Sequence, residues 1–344
     1  MEEKEKLYGR AISELVAVTK RAAMPGFAAM QIADWLYKKE ADSIEAMTNL
    51  SKKAREVLDG LYTVGLSEPA GVAESADGTK KYLFGVSEGR YIESAWIPDR
   101  ERATLCVSTQ AGCRMGCVFC MTGRQGFQGN LSANEILNQF RSLPERAGLT
   151  NIVYMGMGEP LDNLEEVMKS LEILTSPWGY GWSPSRITVS TIGMTLGIKQ
   201  FLEKSRCHLA VSLHSPFPEE RSSLMPVQKS NNISEVLNII RDFDFNSQRR
   251  VSFEYIVFEG LNDTPSHIKE LARILNGIKC RINLIRFHPV PGSSYRSPGE
   301  EAMVRFRDAL NAKGIITTIR ASRGMDINAA CGLLSTIEQN RKKT

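Results

Sequence analysis

Ala103-Thr-Leu-Cys106-Val-Ser-Thr-Gln-Ala-Gly-Cys113-Arg-Met-Gly-Cys117-Val-Phe-Cys120 is the stretch on which the reading of this chain turns. Its first half is apolar and β-branched, which predicts a strand over 104–110. Its second half places three cysteines within eight residues, spaced C-x3-C-x2-C, on the loop that follows. Three thiolates on one short loop can hold three irons of a 4Fe-4S cluster and leave the fourth iron open to a small molecule. A structural zinc ion is the competing occupant. It wants four ligands, usually from paired C-x2-C units, and a fourth could come only from Cys106 or Cys331 in the fold.

Working outward from this loop, the same strand-then-helix alternation repeats. Further strands are predicted over 151–157, 186–192, 208–214, 251–258 and 281–288. Amphipathic helices over 133–147, 164–175, 196–205, 234–245 and 267–278 lie between them. Six βα repeats of apolar strands indicate an α/β fold, a parallel sheet covered by helices as an open or closed barrel. Chemistry in such folds sits at the carboxyl ends of the strands. Gly158, Glu159, Ser190, His214 and His288 each end or follow one. That repeat also favours the cluster over zinc.

Upstream the pattern changes. Residues 80–86 and 90–98 are β-prone and joined across Ser87-Glu88-Gly89, which predicts a hairpin. Residues 1–65 read as helices broken at Met24-Pro25-Gly26-Phe27. The expected division is a helical accessory domain (1–65), a β-hairpin extension (66–100), the barrel (101–330) and a C-terminal segment (331–344) that carries Cys331 and a basic tail.

Composition removes other classes. Across 344 residues, 42% are hydrophobic and 24% charged, values of a globular protein and not of a collagen, a disordered chain or a coiled coil. No apolar run approaches the roughly 18 residues of a membrane span, and the acidic start lacks the apolar core of a secretory signal. Seven cysteines without such a signal point to metal or redox chemistry over a disulfide scaffold. The net charge of +4 hides a split: residues 1–65 carry ten basic and ten acidic side chains, residues 279–344 twelve and five. This basic C-terminal stretch suits either a polyanion or ordinary solvation.

Individual motifs have plain readings. Gly156-Met-Gly158-Glu159-Pro160 is first a turn, although exposed carbonyls and a carboxylate also suit a cation. Ser190 and Ser212-Leu213-His214 are polar strand ends. Cys106 and Cys331, like Cys207 and Cys280, are small apolar side chains when taken singly. Glu93, in Tyr91-Ile-Glu93-Ser-Ala-Trp96, reads as a paired or edge-exposed group.

Taken together these segments resemble the radical S-adenosylmethionine (SAM) superfamily. Over nearly the whole chain they resemble its RlmN/Cfr group of RNA adenine methyltransferases. The resemblance rests on the helical N-terminal domain, Arg102-Ala-Thr-Leu-Cys106 through Cys120, Gly156 to Leu161, Val189-Ser-Thr-Ile-Gly193, Ser212 to Pro216, Asn283-Leu-Ile285 and Ala329-Ala-Cys331-Gly332. It implies a partial (βα)6 barrel in which Cys113, Cys117 and Cys120 hold one 4Fe-4S cluster. It implies SAM contacts from Gly158, Glu159, Ser190, Ser212, Leu213, His214 and His288. The family commonly has asparagine at the last of these positions, so that contact is less secured.

The resemblance further implies that Cys331 carries the methyl group, Cys106 resolves a covalent intermediate through a transient disulfide, and Glu93 accepts a ring proton. Two SAM molecules would be used: one methylates Cys331, and the other yields the radical that takes hydrogen from its S-methyl group. The implied substrates are adenine C2 in 23S rRNA and in some tRNAs. The implied setting is a reducing cytoplasm, with a flavodoxin- or ferredoxin-type reductant, a monomeric enzyme and no membrane. The C8-methylating Cfr branch and a non-catalytic, metal-stabilised RNA-binding module are the alternatives.

Overall fold

The computed structural model describes residues 4–245 and 250–337; the basic tail at Arg341, Lys342 and Lys343 lies outside the described residues. Ten strands form one sheet. Seven of them are parallel neighbours, in chain order Arg102–Cys106, Asn151–Tyr154, Ile187–Thr191, His208–Ser212, Val251–Val257, Cys280–Arg286 and Ile316–Ile319. The sheet stays open, with Ile316–Ile319 at one edge. At the other, Tyr91–Asp99, Lys80–Gly85 and Gly71–Glu74 add antiparallel to Arg102–Cys106 in turn.

The six expected barrel strands are all present, and their inward side chains explain why. Ile152, Tyr154, Val189, Leu209, Val211, Phe253, Tyr255, Ile282 and Leu284 are at most 1% exposed. Each such side chain contributes about 1.5–3 kcal/mol over leaving it in water. Between the strands run the helices Ala133–Arg141, Leu164–Thr175, Thr195–Lys204, Ile233–Asp242 and Pro265–Ile274, close to the predicted spans. Ser132 begins the first with a capping box, its hydroxyl accepting from Glu135 N–H while the Glu135 carboxylate accepts from Ser132 N–H.

Two features extend the expectation. A further helix, Glu300–Ala312, leads to Ile316–Ile319, a seventh parallel strand that pairs with Cys280–Arg286. The hairpin, turned at Glu88 and Gly89 with positive φ, gains Gly71–Glu74 as a third strand.

The N-terminal residues form helices Ile12–Arg21, Ala28–Ala33 and Lys52–Leu61, with the predicted break between the first two. They are tied to the barrel: Asn134 Nδ2 donates to the carbonyls of Tyr8 (3.0 Å) and Gly65 (2.9 Å), and Tyr8 Oη to that of Leu137 (3.3 Å). Among the described residues no helix is long and apolar enough to cross a membrane.

Candidate active site

The carboxyl ends of the parallel strands open on two adjoining cavities of about 160 and 140 Å³. The larger is lined by Cys113, Cys117 and Cys120, by Gly158 and Glu159, and by Ser190, Ser212 and His214. The smaller is lined by Cys106, His288, Arg320 and Arg323. Cys331 and Arg320 belong to the walls of both.

The cysteine loop is built for this place. Cys113 N–H donates to the carbonyl of Gly126 (3.2 Å) and Val118 N–H to that of Leu224 (3.1 Å), while Phe119 packs edge-on against the His214 ring at 4.9 Å. Burial pushes the Cys113 thiol up to about 12, against a lowering hydrogen bond from Met115 N–H. Burial and the neighbouring thiols drive Cys117 well above its ordinary value. The two are therefore neutral thiols until a metal displaces their protons. Among the described residues no three His, Cys, Asp or Glu side chains converge on a point that one ion could fill. Three thiols from one short loop on a single cavity are the donor set of a cluster with one open iron, whereas a structural tetrahedral zinc takes four ligands.

Glu159 faces the same cavity. Burial raises its carboxyl to about 7, although the backbone N–H groups of Ile192 (2.8 Å) and Leu161 (3.0 Å) both donate to it. No ion pair engages it among the described residues, so a cation arriving in the cavity would be its partner. The preceding turn requires glycine: a Cβ on Gly156 would lie 2.7 Å from Val107 and Ser108, and one on Gly158 (φ +97°) 2.5 Å from Gln110.

His214 accepts from Ile256 N–H at Nδ1 (2.9 Å), which leaves the proton on Nε2. Burial, reinforced by the Arg221 charge, holds it down to about 3, so it is a neutral donor. These groups fit a ligand with a cationic amine beside metal-bound thiolates.

Two expected contacts are placed differently. Leu213 is wholly buried and lines neither cavity. His288 faces the smaller cavity, and burial and the Arg286 charge lower its pKa.

Cys331 is exposed and rides on a segment clamped from two sides. Toward the cysteine loop, Gly332 accepts from Met121 N–H (2.7 Å) and Leu334 from the Thr122 hydroxyl (2.6 Å). Toward the β extension, Gly324 N–H donates to Asp77 (2.9 Å), and Asp326 accepts from Ser75 Oγ (2.6 Å) and Ala76 N–H (3.1 Å). Glu93 belongs to this clamp. Buried, it pairs with Lys81 Nζ (2.9 Å) and accepts from Ser335 N–H (2.9 Å), and it lines neither cavity.

Cys106 is buried on the other side of Cys331. Burial and the Cys331 thiol push it up to about 12, with Arg320 pulling it down. Both sulfurs are free thiols. Arg320, which follows the seventh strand and reaches Glu254 (3.4 Å) and Met155 (3.5 Å), was not singled out from the sequence.

An open parallel sheet with three loop cysteines at its carboxyl edge defines a radical SAM enzyme, and the profile of the Radical SAM superfamily matches residues 107–275. The profile of the ribosomal RNA large subunit methyltransferase N-terminal domain matches residues 7–64. A Bacteroides fragilis protein named probable dual-specificity RNA methyltransferase RlmN is 57% identical, covering 97% of each chain. The dual-specificity RNA methyltransferase RlmN of Campylobacter hominis is 42% identical, covering 93% of this chain and 94% of its own. The crystal structure of a radical SAM methyltransferase from Sphaerobacter thermophilus superposes with a TM-score of 0.89 at 39% identity, covering 96% of this chain and 99% of that one. This chain belongs to the RlmN family of dual-specificity RNA methyltransferases, a radical SAM family that uses one 4Fe-4S cluster and SAM.

Proposed function

We propose that the chain methylates C2 of adenine in 23S rRNA and in a subset of tRNAs, with Cys331 as the methyl carrier. The observation that carries this reading is the position of Cys331 on the wall shared by the two cavities. On one side it meets Cys113, Cys117 and Cys120, the proposed cluster ligands, with Gly158, Glu159, Ser190, Ser212 and His214 around the SAM site. On the other it meets Cys106. The cluster and SAM, when bound, supply the methyl group and the one-electron chemistry that activates it.

The protein's own residues do the rest. Glu159 neutralises a cationic amine, and the His214 Nε2–H donates. An adenine ring carbon is electron-poor and will not attack a methyl donor directly, whereas a Cys331 thiolate is a competent nucleophile. The exposed Cys331 holds the methyl where a flipped-out base can reach it. Once base and Cys331 are covalently joined, Glu93 takes the ring proton through a water, and its bond to Ser335 links that base to the segment bearing Cys331. The Cys106 thiolate then attacks the Cys331 sulfur. The S–S bond forms as the sulfur–carbon bond to the RNA adduct breaks, the released carbon keeps that electron pair and takes up a proton to become the methyl group, and a thiol reductant returns both cysteines.

The His288 side of the site suits the nucleotide better than SAM. A flavodoxin- or ferredoxin-type protein as electron donor, a monomeric enzyme and a reducing cytoplasm complete the proposal. The test is Cys331→Ala. We expect no methyl transfer to RNA while reductive SAM cleavage persists; RNA methylation by this variant would overturn the reading.

A further inference from the structure

Arg221 is a buried charge that the chemistry above does not use. It lies in helix Pro218–Leu224 and is wholly shielded from solvent. Its guanidinium donates to the carbonyls of Ile192 (2.6 Å), Ser212 (2.9 Å) and Leu213 (3.2 Å) and to Gln228 Oε1 (2.6 Å). All four acceptors are neutral, and among the described residues Arg221 makes no ion pair. A buried ion without a counter-charge carries a desolvation penalty of several kcal/mol. Hydrogen bonds to carbonyls offset part of it, and a negative charge nearby would offset more.

The place where such a charge belongs is next door. Leu224, the last residue of the Arg221 helix, accepts from the N–H of Val118, the residue after Cys117. Ile192 and Ser212, whose carbonyls the guanidinium holds, line the cavity onto which the three cysteines open. Burial lowers the Arg221 pKa to about 10, and a Cys117 thiolate would raise it, so the side chain stays cationic near neutral pH. Arg221 itself does not line the cavity, so it cannot touch a ligand there. It can act only through its field and by fixing the strand ends.

We propose that Arg221 is a positioning residue that serves as the fixed counter-charge of the iron–sulfur cluster, set behind its Cys117 corner. This rests on the reading that Cys113, Cys117 and Cys120 hold that cluster. Reduction adds one electron to a centre already carrying three thiolates, and a fixed cation in a low-dielectric surround favours the more negative state. Net charge and hydrogen bonding around the sulfurs are levers that set such potentials. Arg221 therefore raises the potential and eases electron entry. A purely structural clamp would need the same four hydrogen bonds but not the charge.

Gln228→Glu separates the two. It keeps the guanidinium and the acceptor that Arg221 and Ile233 N–H (3.1 Å) share, and sets a carboxylate against the charge. The measurement is an anaerobic redox titration of the reconstituted protein with dithionite and viologen mediators, read by electron paramagnetic resonance. Gln228→Glu should reduce at a more negative potential than wild type, and Arg221→Lys close to it. In metal-free protein Gln228→Glu should melt at a higher temperature than wild type, because it supplies the missing counter-ion. An unchanged potential in Gln228→Glu, or a lower melting temperature of its metal-free form, overturns the proposal. Failure of the underlying reading looks different: wild-type protein reconstituted with iron and sulfide would show no iron–sulfur chromophore.

Discussion

The two cavities that meet at Cys331 are similar in size but differ in the charged groups that each alone holds. The larger holds a buried carboxyl, Glu159, and a neutral imidazole, His214. Arg320 stands on the wall of both, and the smaller alone adds the guanidinium of Arg323. A carboxyl is particular to one side and a guanidinium to the other, and the Cys331 sulfur stands on the wall between them. The contrast bears on the proposal that a side chain, Cys331, carries the methyl group. A cationic methyl donor and a polyanionic acceptor need different surroundings, and Cys331 faces both without either entering the other's site.

The largest expected effect comes from the RNA side. Cys106→Ala should stop turnover after one round, leaving RNA covalently attached to Cys331, seen as labelled RNA that migrates with protein on a denaturing gel. Release of free methylated RNA at the wild-type rate would break the assignment of Cys106 to the second cavity.

On the SAM side, Glu159→Gln removes a charge-assisted hydrogen bond, expected to weaken SAM binding by about 10- to 100-fold in calorimetry. The pH dependence carries a sign. Because burial raises the Glu159 carboxyl to about 7, wild-type affinity should improve as pH rises through that value and the carboxylate forms. The variant should lack this rise. The same shift makes the contribution of Glu159 to folding stability full below the ordinary carboxyl value of 4.5 and lost as pH rises through about 7.

The smallest effect sharpens the contrast. Arg323, paired with Asp99 at 3.5 Å, should on change to Ala weaken RNA binding several-fold and lower the salt slope by about one unit. SAM affinity should not move. Filter binding across a salt series, paired with calorimetry, checks both halves.

Much of this was legible from residue order. The six barrel strands announced themselves as short β-branched runs, because each strand buries at least every second side chain in the core between sheet and helices. Cys113, Cys117 and Cys120 were legible because their spacing confines them to one loop. What stayed hidden depended on contacts distant in sequence. Ile316–Ile319 is only four residues with two of them exposed, so it carries little hydrophobic pattern of its own. Missing it hid Arg320, which that strand delivers to both cavities. Lys81 as the partner of Glu93 follows from the pairing of Lys80–Gly85 with Tyr91–Asp99. Arg221, within Pro218-Glu-Glu-Arg221, reads as a solvated helix start, and only the fold places it against four neutral acceptors. The SAM expectation for Leu213 and His288 came from the family resemblance. The backbone turn at His214, with φ of +56°, brings the His214 ring to the cavity while Leu213 stays in the core.

The central claim is that Cys331 itself carries the methyl group between the cavities. Mass spectrometry of the peptide containing Cys331 tests it most directly, on protein purified with an intact cysteine loop and on a variant with Cys113, Cys117 and Cys120 replaced by Ala. The account predicts one added methyl group on Cys331 in the first sample and none in the second. Cys331 found always unmodified in protein that still methylates RNA would contradict it.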